Sequence, residues 1–415
     1  MIRCLTSEGG AGATEGTRVL FVIGWPLEVG GHLNSTMSLA KEIRKRGCET
    51  FLLAGHGSLM NQFREYGTRV FALKKTSWDF WFQLKTFLKI LESVGKYDID
   101  IIQAQDYRAL YPAYLASAVK GRAVVFTKAG GEAPSYIIPR EIPVVVFSKE
   151  LEHGMRERGY QNEILCVPER IDTEFYHDES PDSEFVDRYH LPKAGLKVIM
   201  AMRFDTQKKR WLGGVLNAVP NRCAEDIHLV LAGNGPLYNW VSAKAGEINS
   251  TGVSPTVRLI GKIANAQDMC RLYQYSDIVI GHGRGILEAM ASGRPVINIG
   301  ENGMGTVVDE ETVGAVAYYN FSGRHLRDHP KMGKPIFHEI LRLAQDKPFM
   351  ERLGAFSKWY VASYYDSKRG AERILKLYCT AQERKRMTSL RGVPRFLFER
   401  YRHAMRNRMA FHING

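Results

Sequence analysis

Residues 277 to 297 read DIVIGHGRGILEAMASGRPVI, which compresses a strand, a glycine-rich turn, a helix and a second strand into one short stretch. The apolar run at its start is typical of a buried strand, and the pattern from Ile286 onward predicts a helix. Gly281, Gly283 and Gly285 permit a tight turn with bare backbone amides at the positive end of that helix. Such a turn is suited to bind a phosphate group.

Glu288 lies one turn into the predicted helix, within reach of a ribose diol placed beside the turn. The alternative is that the glycines only make a tight connection and that Glu288 is a solvated helix residue. The rest of the chain favours the nucleotide site, because further glycine and basic motifs follow other predicted strands.

The composition is that of a globular protein with about two domains, because 415 residues exceed one ordinary core and 45% of them are apolar. No apolar run is long enough to span a bilayer, and residues 1–16 lack a basic region followed by an apolar one. The six cysteines are dispersed without a close pair, which predicts neither a zinc site nor a disulfide framework. We therefore expect a cytoplasmic protein whose site contains no metal.

The net charge is +13, and the basic excess is concentrated in residues 384–408. No zinc finger, RNA-binding strand or helix-turn-helix pattern accompanies it, so nucleic acid is not the expected partner. A helix from Pro394 to Phe411 would carry an apolar side and an arginine side, as an interfacial helix on an anionic membrane does. A terminal helix that packs on protein fits the same pattern, and both interpretations of residues 385–415 stay open.

Strand-like apolar runs alternate with amphipathic segments along the chain, which is typical of parallel sheets covered by helices on both faces. One series begins at Arg18 and a second at Lys197, and the acidic, proline-containing stretch between them has no apolar period. The predicted order is a loose tail over 1–17, a first Rossmann-like domain over 18–172, a connection over 173–195, a second Rossmann-like domain over 196–360, a helix over 361–380 that crosses back to the first domain, and a basic amphipathic segment over 381–415.

Two doubly wound α/β domains that face each other leave a cleft beyond the carboxyl ends of both sheets, and we expect ligands there. Gly30 and Gly31 follow the first predicted strand and allow close backbone approach. His32, at the start of the next helix, could contact a phosphate or a sugar hydroxyl, or it could cap the helix.

Arg203 and Lys208 follow the first strand of the second series and flank a turn, where both cations can converge on one anion. A diphosphate leaving group gains negative charge as its bond to a sugar breaks, and fixed cations lower that barrier. Taken alone, the pair is better explained as a basic surface turn. Its place in the order of motifs gives it the functional interpretation.

Six motifs in this order resemble family 4 of the retaining glycosyltransferases. They are Gly30-Gly31, VPERIDTEFY at 167–176, Arg203 with Lys208, LAGNGPL at 231–237, VRLIGK at 257–262 and LEAMASGRPV at 287–296. The resemblance covers the chain from about Arg18 to Tyr378. It implies the GT-B fold, with two facing Rossmann-like domains, a cleft between them and the acceptor side in the first domain.

The resemblance implies a donor site in the second domain for a UDP- or GDP-sugar, with no cofactor or metal required. Arg203 and Lys208 would bind the diphosphate as catalytic residues, and Glu288 would bind the ribose. The acceptor would attack the face that the diphosphate leaves, with the diphosphate as base, so that the anomeric configuration is retained. The other implied donor contacts are Gly30, Gly31, Gly233, Asn234 and Gly235.

The resemblance also implies a biological setting. The acceptor would be a glycan or a lipid-linked sugar of bacterial lipopolysaccharide or surface polysaccharide synthesis. The basic C-terminal segment would suit a lipid-linked acceptor at the inner face of the cytoplasmic membrane, although relatives of the same shape also use soluble acceptors.

The largest departure from the family is Ile280, which stands where the first of two glutamates is expected, eight positions before Glu288. The loop between them is also shorter than the commonest form. The groups left to hold the donor sugar are those of the short loop: His282, Gly283, Arg284 and Gly285.

A usual histidine of the first domain is likewise replaced, by Gln103 and Gln105, which can hydrogen-bond a sugar hydroxyl but cannot exchange a proton near neutral pH. Three function classes stay open: a sugar-nucleotide-dependent glycosyltransferase, a sugar-nucleotide epimerase of the same architecture, and a non-catalytic relative that binds nucleotide or a partner. The order of the motifs favours the transferase over the epimerase. Retention of Arg203, Lys208 and Glu288 argues against lost binding.

Overall fold

The computed structural model describes residues 15–384, apart from 29, 74–79, 180–181, 221–222, 251, 253 and 264. The chain forms two compact units. One unit joins the chain up to Arg170 with the chain from Ser367 onward, and the other is the continuous segment Ile171–Asp366. Most of the predicted basic segment over 381–415 and nearly all of the predicted tail lie outside the described residues.

The first unit is built on a seven-stranded sheet whose pairs are all parallel, in the order β3-β2-β1-β4-β5-β6-β7. Its elements up to the end of the sheet are β1 (Arg18–Pro26), α1 (Gly31–Lys45), β2 (Glu49–Gly55), α2 (Met60–Glu65), β3 (Arg69–Leu73), α3 (Phe80–Tyr97), β4 (Ile101–Ala104), α4 (Tyr107–Lys120), β5 (Ala123–Lys128), β6 (Val144–Val146), α5 (Lys149–Glu157) and β7 (Ile164–Cys166).

Strand β1 shows why the strands of this sheet are continuous apolar runs in the sequence. Val19, Phe21 and Ile23 pack into one hydrophobic layer, and Leu20 and Val22 pack into the layer on the opposite face. Both faces are covered by helices, so neither set of alternating side chains meets solvent.

The second unit repeats the arrangement, with strand order β10-β9-β8-β11-β12-β13-β14, in which only the pairs made by β13 are antiparallel. Its elements are α6 (Ser183–Arg188), β8 (Leu196–Ala201), α7 (Lys209–Ala218), β9 (Ile227–Ala232), α8 (Tyr238–Asn249), β10 (Thr256–Gly261), α9 (Ala266–Tyr275), β11 (Ile278–Gly281), α10 (Arg284–Ala291), β12 (Val296–Ile299), β13 (Met304–Val307), α11 (Val313–Tyr318), α12 (His325–Asp328), β14 (Lys334–Pro335), α13 (Ile336–Gln345) and α14 (Lys347–Tyr364).

The stretch predicted as a connection, 173–195, folds as part of the second unit. It contains α6, whose Phe185 is fully buried in the core of that unit. Asp182 accepts the backbone N–H of Glu184 at 2.9 Å and so begins the helix. Six residues are too few to show a helical apolar period, which explains why the sequence pattern does not predict this helix.

Two helices share the range predicted as one crossing helix. Helix α14 ends at Tyr364, and α15 (Ser367–Arg384) begins three residues later and belongs to the first unit. Ala371, Ile374 and Tyr378 of α15 are fully buried in the core of that unit. The first unit therefore completes its helical layer with a segment from far along the chain.

Both sheets reverse their strand order beside their first strand, between β1 and β4 and between β8 and β11. Loops beyond the carboxyl ends of the strands at such a reversal are where ligands bind in open α/β sheets. The predicted two-domain Rossmann-like architecture is therefore confirmed, and each unit has one such position. Within the ranges described above, no helix combines the length and the apolarity that a bilayer-spanning segment needs.

Candidate functional site

The glycine turn that is predicted to bind phosphate lies between β11 and α10. Gly283 has φ +68° and precedes the helix, which begins at Arg284, two residues earlier than predicted. A Cβ on Gly283 would meet no atom within 4 Å, so the glycine is required by its backbone conformation and not by crowding. Its N–H donates to the carbonyl of Phe321 at 2.6 Å.

A buried asparagine, which the sequence pattern does not predict, fixes this turn. The Nδ2 of Asn298 donates to the carbonyl of Gly281 at 3.2 Å and to that of Phe321 at 2.7 Å, and its side chain is fully buried. Phe321 itself has φ +53°, a conformation that a bulky residue adopts only when its surroundings impose it. The carbonyl of Phe321 thus joins the asparagine to the turn.

Glu288 is buried and ion-paired, so it is not the solvated helix residue of the alternative interpretation. Its Oε1 accepts from Nε of Arg284 at 2.7 Å, and each side chain is only 8% exposed. Neighbouring Tyr176 and Tyr273 each have a pKa well above the usual range of tyrosine. Burial is the main cause, and the charge of Glu288 raises both pKa values further.

Lys208 ends the 3-10 turn Thr206–Lys208 that follows β8, and it reaches the glycine turn. Its Nζ lies 3.2 Å from Nε2 of His282 and 4.7 Å from the ring centroid of Trp211. Burial, helped by the charge of Lys208, lowers the pKa of His282 to about 3. The imidazole is therefore neutral near pH 7, and its Nε2 accepts a hydrogen bond from the Lys208 ammonium.

Arg203 is the more exposed of the two predicted cations. Its side chain is 66% exposed and forms an ion pair with Asp205 at 3.1 Å. The pKa of Lys208 is lowered, first by burial and next by the charge of Arg203. Two cations that repel each other in this way favour a bound anion, which would relieve the repulsion.

Gly233 and Gly235, in the predicted loop after β9, pack against the loop that carries Arg203. A Cβ on Gly233 would lie 2.0 Å from the carbonyl oxygen of Met202, and one on Gly235 would lie 2.7 Å from that of Phe204. Asn234 is exposed, and its carbonyl accepts the N–H of Phe204 at 3.0 Å. These residues thus determine the path of the Arg203 loop.

In the first unit, Gly30 is the N-cap residue of α1 and Gly31 is the first residue of the helix, with no side chain capping it. His32 is half-buried in the first turn and does not serve as the cap. A Cβ on Gly30 would lie 3.9 Å from the carbonyl of Glu28, which is ordinary contact. Packing among the described residues therefore does not require a glycine at position 30.

The two glutamines that replace the expected histidine are both buried. The Nε2 of Gln103 donates to Oγ1 of Thr127 at 2.9 Å, and its Oε1 accepts from the hydroxyl of Tyr378. Gln103 therefore ties α15 to the sheet, and both of its polar atoms are engaged within the unit. The Nε2 of Gln105 is buried without a hydrogen-bond partner among the described residues.

Asp106 is a further polar residue beyond the carboxyl end of β4, and the sequence motifs do not indicate it. It caps α4 and accepts the backbone N–H groups of Gly24, Arg108 and Ala109 at 2.8, 2.9 and 3.0 Å. Burial nevertheless raises the pKa of Asp106 to about 6. An aspartate directly before a helix is the signal that predicts such a cap.

Ile280, which replaces the expected first glutamate, is fully buried in the core of the second unit. It lies within β11, and its side chain packs among apolar neighbours. The side chain at this position therefore offers no polar contact to a ligand.

Two family models match the chain, one in each unit. The model described as "Glycosyl transferases group 1" matches residues 195–321. The model described as "Glycosyltransferase Family 4" matches residues 29–136. The first range contains the Arg203, Lys208 and glycine-turn residues, and the second begins just before Gly30. No curated protein matches the chain significantly.

Several solved structures share the fold over most of this chain. A glycosyltransferase from Rickettsia africae is 16% identical with a TM-score of 0.68, and the match covers 88% of this chain and 98% of that one. HepE from Anabaena, solved with UDP-glucose, is 15% identical with a TM-score of 0.64 over 88% and 99% of the chains. Sucrose-phosphate synthase from Thermosynechococcus elongatus is 14% identical with a TM-score of 0.62 over 88% and 98%. At such identities the likeness establishes the fold.

Proposed function

Since the chain belongs to the family 4 glycosyltransferases of the GT-B type, we propose that it is a retaining enzyme that transfers a sugar from a nucleoside diphosphate sugar. The observation that carries the proposal is the 3.2 Å contact between Lys208 and His282. It brings the basic loop after β8 against the glycine turn after β11, at the point where the strand order of the second sheet reverses.

In this proposal the diphosphate of the donor binds Arg203, Lys208 and the amides at the start of α10. The positive end of a helix and two adjacent cations attract the same anion. His282, Gly283, Arg284 and Gly285 border the donor sugar, and Gly233, Asn234 and Gly235 support the loop that carries Arg203. Gly30, Gly31 and His32 stay predicted donor contacts from the first unit.

Glu288 is the proposed ribose ligand. It lies in α10, one turn beyond the proposed phosphate site, and Nε of Arg284 donates to its carboxylate. UDP is the favoured nucleotide because HepE is solved with UDP-glucose and shares the fold. A GDP-sugar is the second candidate donor.

The proposed reaction breaks the bond between the anomeric carbon and the diphosphate oxygen and forms one to the acceptor oxygen on the same face. The acceptor proton passes to the departing diphosphate, so no protein nucleophile takes part. Arg203 and Lys208 stabilise the charge that accumulates on the diphosphate, which is the largest effect that such a site provides.

We assign the acceptor to the first unit and propose a glycan or a lipid-linked sugar of bacterial lipopolysaccharide or surface polysaccharide synthesis. The motif order that resembles the retaining enzymes of these pathways supports this assignment. The proposed location is the cytoplasmic side of the membrane.

The test is a panel of UDP-, GDP-, ADP- and CMP-sugars with the full chain, in which thermal stabilisation and released nucleotide are both measured. A ligand at 100 times its dissociation constant stabilises the protein by about 2.7 kcal/mol, which is easily detected. We expect one nucleotide class to stabilise the protein and its sugar to be hydrolysed slowly.

Three other outcomes contradict the proposal in different ways. Stabilisation by a sugar nucleotide that is converted to another sugar without nucleotide release would indicate an epimerase. Stabilisation without any turnover, even with a range of glycan acceptors, would indicate a non-catalytic binding protein. If no member of the panel stabilised the protein, the assignment of a donor site would be wrong.

A further inference from the structure

Trp211 lies in the first turn of α7, with its ring against the ammonium of Lys208. The ring centroid is 4.7 Å from Nζ of Lys208 and 5.2 Å from the ring centroid of His282. The Lys208 ammonium therefore contacts an aromatic face from α7 and a neutral ring nitrogen from the turn after β11. These two contacts determine where the ammonium points.

A lysine side chain has four rotatable bonds, and an unrestrained one loses much of its freedom when it binds a ligand. The contacts of Lys208 with Trp211 and His282 restrict that freedom already in the folded protein. The aromatic face also attracts the ammonium electrostatically, which offsets the loss of water around a partly buried charge. Trp211 can therefore strengthen anion binding without touching the anion.

The indole N–H of Trp211 has no hydrogen-bond partner among the described residues, although the nitrogen is buried. The ring consequently acts on Lys208 through its face alone. Phenylalanine offers such a face without the N–H, whereas leucine fills similar space without an aromatic surface. This difference makes the contribution of the ring testable.

We propose that Trp211 is a positioning residue that presents Lys208 to the diphosphate of the donor. The inference rests on the proposed function, because it assumes that Lys208 binds the diphosphate. It adds to that function a specific source of affinity, namely an aromatic residue that orders the diphosphate-binding lysine before the donor arrives.

The experiment combines Trp211→Leu and Trp211→Phe, each in the wild-type and in the Lys208→Met background, and measures the dissociation constants of UDP and GDP. In the wild-type background we expect Trp211→Leu to weaken nucleotide binding about tenfold, and Trp211→Phe to stay within about twofold of the wild type. In the Lys208→Met background Trp211→Leu should have no further effect.

A matched control comes from the same unit. Trp240 carries Lys209 over its ring at 5.4 Å, so Trp240→Leu removes a tryptophan–lysine contact of the same kind. It should leave nucleotide affinity unchanged. The unfolding midpoints of both leucine variants show whether a loss of affinity follows from a loss of fold.

The inference is overturned if Trp211→Leu leaves affinity unchanged, if it weakens binding equally in both backgrounds, or if Trp211→Phe is as weak as Trp211→Leu. In each of these cases the wild type still binds nucleotide and the proposed function stands. If the wild type binds neither nucleotide nor any sugar of the panel, the proposed function fails and the role of Trp211 fails with it.

Discussion

Arg284 and Glu288 form a buried ion pair across one turn of α10, with 2.7 Å between Nε and Oε1 and 8% exposure for each side chain. Both residues lie in the helix that begins at the glycine turn. The removal of one member of a buried pair is costly, because the remaining charge stays in the interior with less compensation. The pair therefore links the stability of α10 to the orientation of the proposed ribose ligand.

We expect Arg284→Met to lower the free energy of unfolding by about 3 kcal/mol, since Glu288 then loses the cation that faces it. The double change Arg284→Met with Glu288→Leu should cost less than Arg284→Met alone, because no charge is left in the interior. Urea unfolding of the single and double variants measures this. Strictly additive losses would show that the two side chains are not coupled.

We expect Arg203→Met and Lys208→Met to reduce donor turnover by a factor on the order of 10² to 10³, because each removes a cation from the departing diphosphate. The Arg203 variant should keep its unfolding midpoint, since the side chain is 66% exposed. Arg210→Met is the control, because Arg210 is 82% exposed and pairs with Glu301 at 3.2 Å. Wild-type turnover in both test variants would place the diphosphate elsewhere.

We expect Gly233→Ala to displace the Arg203 loop, because the new methyl group would lie 2.0 Å from the carbonyl oxygen of Met202. The variant should lose nucleotide affinity and stability together. Gly246→Ala is the matched change: this glycine lies inside α8 with no atom within 4 Å of the added Cβ. The free energy of unfolding of this variant should increase by about 0.5 to 1 kcal/mol. Equal behaviour of the two variants would contradict the packing argument.

We expect His282 to make the second unit acid-sensitive. Its pKa is about 3 in the folded protein, against 6.5 for an ordinary histidine. Between these values the unfolded chain binds the extra proton, so stability falls as the pH is lowered through this window. The contribution should reach about 2 kcal/mol between pH 7 and pH 5.

His282→Gln should lack this part of the acid sensitivity while it keeps an oxygen that can accept from Lys208. Burial also lowers the pKa of His325, to about 4, but His325 is present in both proteins. The difference in unfolding free energy between wild type and variant, followed from pH 7 to pH 5, isolates His282. A constant difference would mean that His282 titrates normally.

The sheets are largely predictable from the sequence because their signals are local. A parallel strand covered on both faces is a nearly continuous apolar run, and β9 (Ile227–Ala232) reads IHLVLA, with every residue but His228 buried. Strand β14 is two exposed residues long and leaves no such signal. The polar stretch over 324–334 contains the fully buried His325 and the short helix α12, neither of which its polar composition indicates.

The candidate site is predictable only in part. The glycines, Arg203, Lys208 and Glu288 stand at strand ends and so can be identified from the pattern. The hydrogen bonds of Asn298 and the contact of Trp211 with His282 cannot, because they depend on which strands pair and in what register. Gly281 faces Asn298 only because β11 pairs with β12 in that register, and an asparagine at the end of an apolar strand does not indicate its partner.

The split composition of the first unit has a consequence for biosynthesis. The ribosome completes all of Ile171–Asp366 before it makes α15, whose Ile374 and Tyr378 fill the core of the first unit. At a synthesis rate of about 5 to 20 residues per second, the second unit is complete and can fold seconds before α15 has been made. The segment that emerges first is therefore the last to acquire a closed core, and until then it presents to chaperones the apolar face that α15 covers.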